Sequence, residues 1–180
     1  MNVSLKTTAL LCALVCTPAL LQAQSSTPTI EFGRTTLQLN PVFVDSLPGM
    51  GASITDLHGN PLQNDSITFQ ETGGTIDLTT AAGDIEHTGG FVIIGGGSTV
   101  RIENLILDTS NPAAMVITAQ IIVNDHFAGR IALFTALPPS GLTLPLQPQA
   151  GVLQVNGLSL TLASPAASTI DGVFGPVIQA

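Results

Sequence analysis

Tryptophan and tyrosine are absent from this chain, and seven phenylalanines make up its whole aromatic content. An outer-membrane barrel draws its interfacial girdles from Trp and Tyr, so the deficit counts against that architecture. Lysine occurs once, at Lys6, and cysteine twice, at Cys12 and Cys16. All three lie in the opening stretch "MNVSLKTTALLCALVCTPALLQAQSS". It has a short polar start, an apolar run from Ala9 to Leu21, and small Ala23 ahead of Gln24-Ser25-Ser26. That is the layout of a secretory signal peptide, with cleavage expected after Ala23. The run is too short for a spanning helix, which needs about 20 apolar residues. Lipidation requires a small residue before the cysteine, and Leu11 and Val15 stand there instead. The expectation is a leader over residues 1–23 and a single secreted or periplasmic domain over residues 24–180, with no transmembrane segment in the mature chain.

The mature chain then has no cysteine, so packing and not disulfides must hold it together. Neither a lysine Schiff base nor a cysteine thiolate is open to it as a catalytic group. Three arginines face twelve acids. Binding to nucleic acid or to anionic lipid rests on Lys and Arg contacts, so nucleic acid is excluded as a partner. A chain of this length buries about 70% of its unfolded surface, enough for one sizeable core.

From Ser66 onward the sequence alternates apolar and polar residues in short segments broken by Gly, Asn, Asp and Pro. "GGTIDLTTAAGDIEHTGG" puts Ile76 and Leu78 on one face, then after the link "TAAG" puts Ile85 and His87 together on one face and Asp84 and Glu86 on the other. That pattern reads as a β-hairpin. "FVIIGGGSTVRIENLILDT" reads as a second, turning at Gly95–Ser98. Its return strand changes phase between Ile102 and Leu105, which predicts a bulge near Glu103-Asn104. "AAMVITAQIIVNDHFAGRIALFTAL" is a third, with its turn in Asn124–Gly129. Turn signals recurring at this spacing predict an all-β, antiparallel sandwich built of hairpins. A parallel β-helix needs a sustained period, and none is present.

Both ends carry the same device: an alternating strand, a cap residue, a proline, an apolar stretch and a glycine. "TLQLNPVFVDSLPGMG" and "LTLASPAASTIDGVFG" therefore predict two short helices following the first and last strands, starting at Asn40-Pro41 and Ser164-Pro165 and plugging the ends of the sandwich. The proline-rich "ALPPSGLTLPLQPQAG" reads as an extended connection or an edge strand.

Chemistry is sparse. "GDIEHTGGFVIIGGGS", Gly83 to Ser98, combines a histidine, two acids and two glycine runs. A phosphate cradle needs its glycines to run into a helix N-terminus. Here they run into "STVRIENLIL", a strand, so both runs read as turns. His87 falls in phase with Ile85, on the apolar face. The plain reading is an inward histidine bonded to a backbone carbonyl; the functional one is a ligand or proton carrier. His126 and His58 lie in turns, and a metal site from the three would need distant loops to converge. No G-x-S-x-G elbow occurs. Asp84 and Glu86 read as solvent-facing acids, and Arg34, Arg101 and Arg130 as cross-strand partners for acids.

The run from Gly73 to Thr109 is similar to a hairpin module of secreted bacterial proteins, with the pattern I-x-x-x-x-G-x-I-x-H-x-G-G before a long strand. More distantly it resembles the HtaA-type haem-uptake domain, a secreted β-sandwich, with a looser likeness over Thr29–Thr135. In that family a tyrosine ligates haem iron and a histidine supports it. This chain has no tyrosine, so the resemblance carries over His87 alone.

The reading is a secreted or periplasmic, non-catalytic cell-envelope module, adhesive or structural or binding an apolar small molecule, with envelope components or self-association as its partnerships and no resident cofactor. The alternatives are a haem- or metal-binding module centred on His87, with His126 as a second candidate ligand, and a carboxylate-based hydrolase.

Overall fold

The computed structural model describes residues 7–8, 10–15 and 27–175; the cleavage position expected after Ala23 lies outside them. Its strands are β1 (Thr7–Thr8), β2 (Leu10–Val15), β3 (Gly33–Gln38), β4 (Ala52–Asp56), β5 (Ser66–Ile76), β6 (Gly83–Thr88), β7 (Gly90–Gly95), β8 (Ser98–Asp108), β9 (Met115–Val123), β10 (His126–Leu137), β11 (Val152–Val155) and β12 (Ser159–Leu162). All join in one twelve-stranded antiparallel sheet, in the order β1-β12-β10-β9-β8-β6-β5-β3-β2-β11, with β7 beside β8 and β4 beside β7. The sheet curls into a half-barrel whose inner faces close on one core, and the fold is all-β as its alternation predicts.

The three hairpins form where period-2 patterning places them. β5 pairs with β6 from Ile76↔Gly83 to Gln70↔Thr88. β7 and β8 turn through Gly96 and Gly97, at φ +58° and +79°, the left-handed pair that a two-residue hairpin turn requires. β9 and β10 turn more tightly than expected, through Asn124 and Asp125 alone, and the glycine at 129 instead marks a register shift past Phe127. The phase change in β8 is a real bulge: its pairing with β9 shifts between Glu103 and Ile106, Asn104 takes φ +51°, and both Ile102 and Leu105 stay buried.

One glycine pair is not a turn. Across Gly89 the chain leaves β6 and enters β7 without reversing, and both strands pair with β8. Gly90 lies against the β8 backbone, where a side chain would collide with the Ile102 carbonyl. The sequence expectation of turns at both glycine runs therefore holds for Gly95–Ser98 and fails for Gly89-Gly90, where Gly89 takes a left-handed φ of +98° and Gly90 serves close approach.

The helices α1 (Pro41–Ser46) and α2 (Ser164–Phe174) follow β3 and β12. Asn40 caps α1 by accepting the Val42 N–H at 2.9 Å. In α2 the cap position belongs to Ala163, which has no side-chain oxygen, and Ser164 is the first helical residue; burial carries that helix in place of a cap. Both plug the same end of the curl: Phe43 and Leu47 from the α1 side and Ile170 and Phe174 from α2 surround one apolar gap beside Ile93. The proline-rich stretch forms no strand of its own between β10 and β11.

Candidate functional site: a buried histidine and an apolar cavity

His87 lies inside the curl, 6% exposed, in phase with Ile85 as the alternation predicts. Asp84 and Glu86 point the other way, half-buried and exposed. The ring packs edge-on against Phe69, with centroids 6.4 Å apart. Its Nδ1 faces the Leu105 carbonyl at 3.3 Å and its Nε2 faces Thr35 Oγ1 at 2.8 Å. Thr35 donates onward to Glu71 Oε1 at 3.1 Å. Thr35 and Glu71 are themselves 4% exposed, so three polar side chains from β3, β5 and β6 form one buried chain.

Proton counting constrains this chain. A carbonyl only accepts, so the Leu105 contact needs a hydrogen on Nδ1. With Thr35 donating to Glu71, the Nε2 contact needs a second ring hydrogen, which makes the ring imidazolium facing carboxylate. Reversing both bonds gives a neutral ring and a protonated carboxyl with the same contacts. A neutral ring beside an ionised carboxylate leaves one contact without a hydrogen. Burial penalises the charged ring and pulls its pKa from 6.5 down to about 4, against the smaller opposing pull of the backbone bonds at Leu105 and Ile85. The free space touching this chain is about 10 Å³, room for one water at most.

Glu71 and Thr35 were legible only in part. Ile67, Phe69 and Glu71 share a phase in "SITFQETGG", and an acid in step with buried apolar residues is the signal that marks Glu71. Nothing in the sequence distinguishes Thr35 from its neighbour Thr36. His126 and His58 are exposed in turns or at a strand start, away from the interior. His58 lies 3.9 Å from Asp56, its near neighbour in the same turn. Among the described residues no group of three His, Cys, Asp or Glu is placed to hold a metal ion. Arg101 pairs with Glu103 two residues along its own strand and reaches Asp125 at 3.7 Å in the adjacent turn, and Arg130 donates across to Thr118 at 3.2 Å.

A larger space lies further along the same interior. It offers about 50 Å³ to the centres of water-sized spheres and is bounded by Ile76, Ile85, Leu107, Met115, Leu146 and Leu153, among others. One wall is the proline-rich connection, which brings Leu142 and Leu146 inward. The polar residue in the lining, Thr109, already donates its hydroxyl to the Gly83 carbonyl at 3.2 Å. An apolar cavity without polar partners stays dry and accepts apolar guests. Among the described residues no helix is long and apolar enough to cross a membrane.

No protein-family model matches the chain, and no curated protein matches it. Among solved structures, the C-terminal domain of HtaA from Corynebacterium glutamicum is a distant likeness. It matches over 88% of this chain and 99% of its own length, at 16% identity and a TM-score of 0.48.

Proposed function

We propose that this protein is an exported cell-envelope module that holds an uncharged apolar group, the end of an alkyl chain or a body of similar size, in the cavity beneath the proline-rich connection. The observation that carries this reading is the cavity itself: larger than the gaps beside His87, beneath the helices and between Leu39 and Leu162, apolar, and with its hydroxyl already committed. A packed core leaves few voids bigger than a water, because each forfeits dispersion contacts. The acidic balance of three arginines to twelve acids past the leader argues against an anionic ligand head. The wall formed by Leu142 and Leu146 belongs to a connection and not to the sheet, so it can widen without breaking a ladder.

Met115 provides the test. Met115 borders the cavity, and a label on its methyl reports occupancy by NMR. Titration with 1-octanol is expected to shift the signal saturably, and Leu146→Phe, which fills part of the space, to weaken that response by about tenfold, the equivalent of 1.4 kcal/mol. An unmoved Met115 signal, or a response indifferent to Leu146→Phe, defeats the reading.

A further inference from the structure

The curled sheet has a seam. On one side runs β3; on the other run β12 and β11. A single stretch of chain fills it: Thr7 and Thr8 pair with Leu160 and Ser159, Leu10–Leu14 pair with Leu37–Gly33, and Cys12–Val15 pair with Val155–Val152. Every one of these ladders is antiparallel, and β2 serves both walls, pairing with β3 and with β11. That stretch lies wholly inside the segment whose composition is that of a cleaved leader.

We infer that, with the leader gone, the seam is a strand-acceptor site that takes an extended, uncharged apolar segment of a partner polypeptide, antiparallel to β3 and to β11. This rests on the leader reading and is independent of the cavity. Withdrawing one strand leaves two walls about 9–10 Å apart, twice the inter-strand spacing. That gap is too wide for direct bonds across it and admits one strand only. Each wall then presents a row of backbone N–H and C=O groups, which an alkyl ligand cannot satisfy and a peptide backbone can. The inward side chains beside the seam, Leu37 of β3 and Leu160 of β12, are buried at 2% and 1% exposure. The side chains an occupant turns inward are therefore required to be apolar. The sequence that fills the seam, Leu-Leu-Cys-Ala-Leu-Val, carries no charge, glycine or proline, which states the chemistry of the occupant. Main-chain ladders supply affinity in such strand addition, and alternate side chains supply specificity.

The chain is expressed in full in an exporting host and recovered from its medium or periplasm. Intact mass is expected to show loss of residues 1–23. Hydrogen exchange is then followed with a synthetic peptide of residues 7–15 bearing Cys12→Ser, and with the same peptide further altered by Leu11→Pro and Ala13→Pro, which removes ladder donors. The amides of Gly33–Leu37 that face away from β5, and those of Leu153–Val155 that face the seam, are expected to exchange fast in the peptide-free protein. They should slow by about tenfold or more with the first peptide and stay fast with the proline peptide. A retained leader overturns the inference. So do seam amides already protected like those of β9, since the walls then pair with each other, and so does indifference to the first peptide. The Met115 response to 1-octanol, read on the same preparation, separates failure here from failure of the cavity reading.

Discussion

Replacing Gly90 with alanine is expected to cost about 4 kcal/mol or more, enough to leave little folded protein when a domain's whole stability is about 5–15 kcal/mol. A Cβ at this position would sit 2.0 Å from the Ile102 carbonyl oxygen and 3.0 Å from the Glu103 Cα. Both are backbone atoms of β8, paired to β9 on its other side, so neither can swing away as a side chain would. Relief would require β7 to part from β8 at the Gly90↔Glu103 pair, next to the bulge and three residues from His87. Gly96→Ala is the control. Gly96 sits in open space at φ +58°, so its substitution meets only backbone strain of about 1–2 kcal/mol. Urea unfolding of both variants measures the contrast. Equal losses would mean that conformational freedom, and not close approach, is what the chain needs from its glycines.

That contrast marks where the sequence is readable. Ile85, Ile102, Leu105 and Leu107 announce their burial through period-2 phase, because a strand's two faces meet different solvents. The slip between Ile102 and Leu105 likewise announces a bulge, since both residues must reach the same core. Gly90 announces nothing of the kind: a glycine used for φ and one used for a missing Cβ look alike in one dimension. The same limit hid Thr35, whose role depends on β3 lying beside β5 and β6 inside the curl. The cavity was hidden because its lid is a loop without periodicity. The seam was hidden because the apolar run of a leader and that of a buried strand have the same composition. Glu71 stands between these cases: its phase with Phe69 marks it as inward, and only the fold shows what meets it there.

The chain from Leu105 through His87 and Thr35 to Glu71 leads to the second large effect. Glu71→Gln is nearly isosteric and removes a buried charge. Its amide N–H₂ can donate to Thr35 Oγ1, which frees the Thr35 hydroxyl for His87 Nε2, while Nδ1–H keeps the Leu105 carbonyl. Every contact then has its hydrogen with a neutral ring, so this variant is expected to be as stable as the parent at pH 7, or about 1 kcal/mol more so. Thr35→Val breaks the chain in the middle and strands a polar atom on each side, at an expected cost of about 2–3 kcal/mol. In the Glu71→Gln protein His87 is the one titratable group of the chain, and its pH dependence can be read alone. Burial holds the folded-state pKa near 4, against 6.5 for the free side chain. As pH falls through 6.5 the unfolded chain takes up a proton that the folded chain refuses. Stability is therefore complete above pH 6.5 and drains away towards pH 4, by about 3 kcal/mol in all. Asp56 and Asp108, held below their ordinary 3.8 chiefly by hydrogen bonds from Asn60 and Ser110, act at lower pH and leave this window clear. His87→Leu in the same background should flatten the profile, and a slope that survives it assigns the proton elsewhere.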